Sequence, residues 1–216
     1  MIQGFSDYEK TKVNNFNSEK LKLGGHYCKI LEVSVETTVS KKTGNEYYLL
    51  KLKFDIDEPD ESAGYFQRKF LNDTEKDPIT AKWKGYYRLT IPNNGSEDYI
   101  KRNWKTFLTS IEKSNAGVKI NGSLGFEETM LVGKKFGGVF GLEEYQIPSN
   151  GDVITFSKLN FIRSTEKIKD AKIPSVKLLN GTYMDYEKYI NQGTSDSNNE
   201  TSMQDTSSIN DDDLPF

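Results

Sequence analysis

Only one segment of this 216-residue chain has the pattern of a helix, and it lies in the middle, with strand-like segments before and after it. A fold that alternates strand and helix needs a helix after each strand, so that class fits poorly. The helical segment opens at Gly95-Ser96, puts Ile100, Trp104, Phe107, Leu108 and Ile111 on one face, and is stopped by Asn115-Ala116-Gly117. Ser96 is the expected N-cap, and Glu97 and Asp98 sit where the helix dipole favours anions. Upstream, residues 27–35 alternate apolar and polar positions, with a phase change at Ile30-Leu31 that predicts a bulge and a curved strand. The run Lys41-Lys42-Thr43-Gly44-Asn45 predicts a hairpin turn into a second strand, residues 47–54. In that strand Tyr48, Leu50, Leu52 and Phe54 share a face assigned to the core, while Tyr47, Leu49, Lys51 and Lys53 share the opposite one.

Residues 55–63 are acidic, contain Pro59 and read as a solvated loop. Further short strands are expected at 65–70, 86–91, 119–126, 135–145 and, after the turn Pro148-Ser149-Asn150-Gly151, at 153–163. Strands flanking one helix, with a bulge and glycines where a small sheet must coil, predict a five-stranded Greek-key barrel of the OB type. The expected organisation is a loosely packed polar arm at 1–23, the barrel domain at 24–191 and a tail at 192–216. The tail is rich in Ser, Asn, Thr, Asp and Gln, cannot bury enough apolar surface to fold, and is expected to be disordered.

Charge divides along the same boundary. The formal net charge is -3, and the tail holds six acidic residues and no Lys or Arg; the remaining 29 basic and 26 acidic residues, the 32 less those six, leave the body at +3. A mildly basic body facing one partner and an acidic tail facing another is the expected consequence. Hydrophobic residues are only 35% of the chain, yet it carries 12 Tyr, 12 Phe and 2 Trp, so aromatic surface must supply much of the core, and not every ring need belong to it.

A sequence-independent site for single-stranded nucleic acid needs cations along the phosphates and rings on which bases stack. Four segments supply both: Lys41, Lys42, Tyr47, Lys51 and Lys53; Tyr65, Phe66, Arg68, Lys69 and Phe70; Trp83, Lys84, Tyr86, Tyr87 and Arg88; and Lys134, Lys135 and Phe136. Alternation assigns Tyr48, Phe54, Tyr87 and Phe107 to the core and Tyr47, Tyr86 and Arg88 to the opposite side. It leaves Tyr65, Phe66 and Trp83 unassigned, and Tyr65 and Trp83 are carried as groove candidates. Lys101, Arg102 and Lys105 read as a solvated helix face.

Catalytic and cofactor chemistry is not indicated. His26 and Cys28 are the only residues of their kinds, so neither a Cys/His zinc site nor an internal disulfide can be built. The glycines at 133–138 lack the GxxxxGK[ST] spacing of a phosphate loop and fit a coiled strand with close backbone approach. Asp55, Asp57, Glu58, Asp60 and Glu61 read as a solvated turn, not a two-metal centre. With no leader-like start, no long apolar run and a mean hydropathy of -0.69, a cytosolic protein without membrane function is expected.

The chain closes on Asp211-Asp212-Asp213-Leu214-Pro215-Phe216. Phe216 suits an apolar pocket, its carboxylate suits an Arg or Lys at the rim, and the three Asp steer the segment to a basic surface. Residue for residue this hexapeptide resembles the tip of bacterial single-stranded DNA-binding proteins and their bacteriophage counterparts. The body is more similar to phage-encoded members, around 27–54, 135–145 and the turn into Val153. The resemblance implies an OB fold, a non-enzymatic protein that protects single-stranded DNA, and a tip that recruits a helicase, primase, polymerase, nuclease or recombinase in replication, recombination and repair. It implies a cytoplasmic protein, in the host cytoplasm if phage-encoded, and allows a homo-oligomer. The competing expectation is a phage interaction or inhibitory protein, a DNA mimic acting through its acidic tail.

Overall fold

The computed structural model describes residues 20–40, 44–122 and 125–195. Strands β1 (Gly24–Val39) and β2 (Glu46–Ile56) form the expected antiparallel hairpin, and the register shifts between Ile30 and Glu32, so Leu31 is the bulged residue. After α1 (Tyr65–Lys76), β3 (Tyr86–Ile91) pairs with β2, and then α2 (Asp98–Ser114) leads to β4 (Lys135–Gln146), which lies beside the first part of β1. Strand β5 (Val153–Arg163) returns along β4, with the bounds that the turn chemistry predicts. Two short strands, β6 (Val176–Lys177) and β7 (Tyr183–Met184), and helix α3 (Tyr186–Ser195) complete the fold. The protein is mostly β-sheet with three helices. Its seven strands run β3-β2-β1-β4-β6-β7 with β5 also on β4, and the sheet is mixed because β4 and β6 are parallel. Among the described residues no ladder joins β3 to β5, so the sheet is open.

Helix α2 bridges that opening by packing on β3, β4 and β5. Phe107, Leu108 and Ile111 are buried along its inner face, each contributing roughly 1.5–3 kcal/mol of apolar burial. Glu97 takes the N-cap position in place of Ser96, whose hydroxyl instead accepts the Asn93 N–H. At the other end Asn115 works as a clasp: its amide donates to the Lys135 carbonyl (2.8 Å) and its carbonyl accepts the Lys135 N–H (2.9 Å), which fixes the start of β4 to the helix. The core centres on Phe54, whose ring meets those of Phe66, Phe136 and Phe140 at 5.3, 5.6 and 6.2 Å. Gly138 is packed so closely that an added Cβ would lie 2.8 Å from the Cys28 sulfur, the close approach expected of that glycine run.

Several expectations are corrected. Residues 65–70 are helical, not a strand, because the Asp55 carboxylate accepts the N–H groups of Phe66 (2.8 Å) and Gln67 (3.0 Å), donors that a helix start leaves without partners. Residues 119–122, 125 and 126 form no strand: Ile120 N–H bonds to the Glu112 carboxylate and Phe126 stacks on Trp104, so this segment packs on α2. The acidic loop is not wholly solvated, since Asp55 and Asp60 are buried. Tyr48 is 53% exposed, not core, because the β1–β2 hairpin outruns the helices, as exposed Val35 and Val39 on the same face also show. The folded body extends past the expected boundary at 192: α3 runs to Ser195 and is anchored by the Tyr189 hydroxyl on the Glu144 carboxylate (3.0 Å). Of the expected arm, Leu21 is buried in the core, and residues 1–19 lie outside the described residues, as do 196–216.

Candidate nucleic-acid interface

The outer face of β1, β2 and β3 gathers the basic and aromatic residues that alternation placed opposite the core. Across the ladder Glu32 faces Lys53 and Lys53 faces Tyr86; one row further, Ser34 faces Lys51 and Lys51 faces Arg88; Thr38 faces Tyr47 toward the hairpin end. Trp83 comes onto this face from the loop before β3. Its indole N–H lies 3.2 Å from the carbonyls of both Phe54 and Gly85, and its ring packs on Phe70 of α1. Gly85 is required there, since an added Cβ would stand 2.3 Å from the Phe54 oxygen.

Lys51 and Lys53 of β2 make the same pair of contacts. Lys53 sits 4.9 Å from the Trp83 ring centroid and 2.6 Å from Glu32; Lys51 sits 4.8 Å from the Tyr86 ring centroid and 3.0 Å from Glu36. Arg88 also reaches Glu36, at 3.5 Å. A shallow depression lined by Glu32, Val33, Ser34, Lys51, Lys53 and Tyr86 lies among them. Burial works against the charge of Glu36, but the hydrogen bond and charge of Lys51, joined by Arg88, hold its carboxyl below the ordinary range. Lys51 and Lys53 thus lie over two rings, and they and Arg88 are answered by the carboxylates of Glu32 and Glu36.

The other groove candidates divide. Lys41 and Lys42 lie outside the described residues. Tyr47 is half-buried on the outer face, and Lys84, half-buried, follows Trp83. Tyr65 is buried in the core with Phe66, its ring 5.1 Å from that of Phe66, so the groove assignment for Tyr65 is corrected: the first turn of α1 turns both rings inward. Arg68 and Lys69 belong to the same helix, and the Arg68 guanidinium donates to the Ala63 carbonyl. Lys134 and Lys135 stand at the start of β4, and Lys135 pairs with Asp57 (2.7 Å), outside hydrogen-bond angles. Phe136 is fully buried.

Glu32 and Glu36 were not among the residues selected from sequence, although the alternation of β1 beyond its bulge puts both on this face. Also missed is a buried hub at Asp60, which accepts N–H groups of Tyr27 and Ser62 (both 3.1 Å), lies 3.2 Å from His26 Nδ1 and pairs with Lys169 at 2.7 Å. Burial disfavours the Asp60 charge, but these hydrogen bonds and Lys169 outweigh it and lower its pKa. Burial raises the Cys28 thiol well above its ordinary range, which keeps it protonated and unreactive.

Compared with known proteins, the chain matches no family model, and no curated protein is significantly similar to it in sequence. No helix among the described residues is long and apolar enough to cross a membrane.

Proposed function

We propose that this protein binds single-stranded DNA without sequence preference on the outer face of β1–β3, that its body is of the OB type, and that Asp211–Phe216 recruits replication, recombination or repair proteins. The observation that carries the proposal is the pairing of Lys51 with Tyr86 and Lys53 with Trp83 on one strand face. Rings of this kind offer stacking surfaces indifferent to base identity, and the adjacent ammonium groups suit the phosphates. The strand order supports the OB reading: a β1–β2–β3 meander, a helix, then β4 beside β1 and β5 beside β4, with α2 filling the gap where a five-stranded barrel closes. In such barrels the strand 2–3 face is the one that binds oligonucleotides.

The test is a gel shift of the full chain with labelled oligo-dT and with duplex DNA, each with and without Mg²⁺. Preference for the single strand, with log affinity falling by about 0.7 per tenfold salt for each phosphate neutralised, is the expected result. Absence of single-strand binding at low salt refutes the proposal and favours the interaction-protein alternative, while loss of the probe in Mg²⁺ points to a nuclease.

A further inference from the structure

We infer that Glu32 and Glu36 are built-in competitors for phosphate, occupying the cations of the strand-binding face in the free protein, so that binding exchanges carboxylates for phosphates; this rests on the function proposed above. The geometry repeats on two rows of the ladder. In each, a carboxylate from β1 holds a lysine of β2 while that same ammonium lies over an aromatic ring, Glu32 with Lys53 and Trp83, and Glu36 with Lys51 and Tyr86. The faces that bases would stack on are thus covered by the groups that phosphates would engage. One movement of each lysine toward a phosphate frees both the ring and the site, and leaves a carboxylate to be neutralised by solvent cations.

Two consequences follow from physical principles. Part of the affinity that three cations offer is spent on breaking existing ion pairs, and each displaced carboxylate takes up a counterion, which offsets part of the counterion release that drives binding. The two glutamates are not equivalent. Glu36 contacts both Lys51 and Arg88 and its side chain is 37% exposed, whereas Glu32 contacts Lys53 and is 69% exposed. Glu36 is therefore the stronger competitor.

The experiment is a fluorescence-anisotropy titration of labelled oligo-dT with the full chain, from about 50 to about 200 mM salt, using wild type, Glu32→Gln, Glu36→Gln, the double variant and a remote control, Glu187→Gln on exposed α3. Each groove variant is expected to bind about two- to five-fold tighter, the range that partly exposed ion pairs support, with Glu36→Gln the larger effect. The double variant steepens the log–log salt slope by roughly one, and the control stays near wild type. Groove variants that match wild type, match the control or bind more weakly overturn the inference while leaving the function proposal standing. A wild-type chain that does not bind single strands refutes that proposal and this inference with it.

Discussion

Replacing Tyr86 by alanine probes the strand-binding face where folding depends on it least. Tyr86 opens β3 at the sheet edge, is half-buried, and turns outward, while Tyr87 packs against the core and Leu89 is buried within it. Folding loses the Lys51 contact over the ring, 4.8 Å from its centroid, an interaction of about 0.5–1 kcal/mol at exposed sites, and a fraction of a kcal/mol of strand preference at an edge. A total near 1 kcal/mol lowers the thermal midpoint by about 2–4 °C in a protein of this size. Binding loses one stacked base, about 1–3 kcal/mol, which is roughly 5- to 150-fold in Kd. Anisotropy with oligo-dT and a thermal melt on the same preparation separate the two effects. Tyr86→Phe keeps the ring and is expected to bind like wild type. The salt slope is expected to be unchanged in Tyr86→Ala, because no phosphate contact is removed, whereas Lys53→Gln is expected to flatten it by less than about 0.7, because Glu32 then no longer takes up a cation on binding. A folded Tyr86→Ala protein whose affinity stays within about two-fold of wild type, roughly 0.4 kcal/mol, refutes the stacking assignment.

Trp83→Ala is expected to weaken oligo-dT binding but also to cost about 3 kcal/mol or more of stability in denaturant titrations, since the indole packs on Phe70 and holds two carbonyls; an unchanged denaturation midpoint contradicts this seating. Asp60→Asn is expected to lose about 1–3 kcal/mol, because it disturbs the buried acceptor of His26 and of the Tyr27 and Ser62 N–H groups, while Lys169, 42% exposed, can turn to solvent. The sign of its pH dependence is fixed: a carboxyl whose pKa is lowered on folding stabilises fully above its unfolded value, about 3.9, and loses that contribution as pH falls through the folded one. The gap between wild type and Asp60→Asn should therefore be full at neutral pH and close below about pH 4; a gap constant across that range removes the charge from the explanation. Deleting residues 211–216 is expected to leave oligo-dT affinity equal or higher, because a competing anion has gone, and a clear loss of affinity counts against the segment's proposed role.

Where local chemistry determines structure, it was legible in the sequence. The hairpin of β1 and β2, its bulge, the face carrying Lys51 and Lys53, and strand β5 follow from alternation and turn residues within a few positions of each other. Helix α1 was not legible, because six residues with aromatics at 65, 66 and 70 do not separate a period of 2 from one of 3.6, and its first turn is completed by Asp55, ten positions before Tyr65 on another element. The interface shows the same division at finer scale. The cations and rings could be chosen by face, but which charges oppose them depends on register. Before the bulge, Cys28 and Ile30 point inward; the extra residue Leu31 reverses the phase, so Val33 joins the inner face and Glu32, Ser34 and Glu36 the outer one. Were Leu31 paired in regular alternation and not bulged, Glu32 and Glu36 would face the core and Lys51 and Lys53 would lose their carboxylates. A single bulged residue thus sets the charge balance of the whole face, through the position of every side chain that follows it along β1.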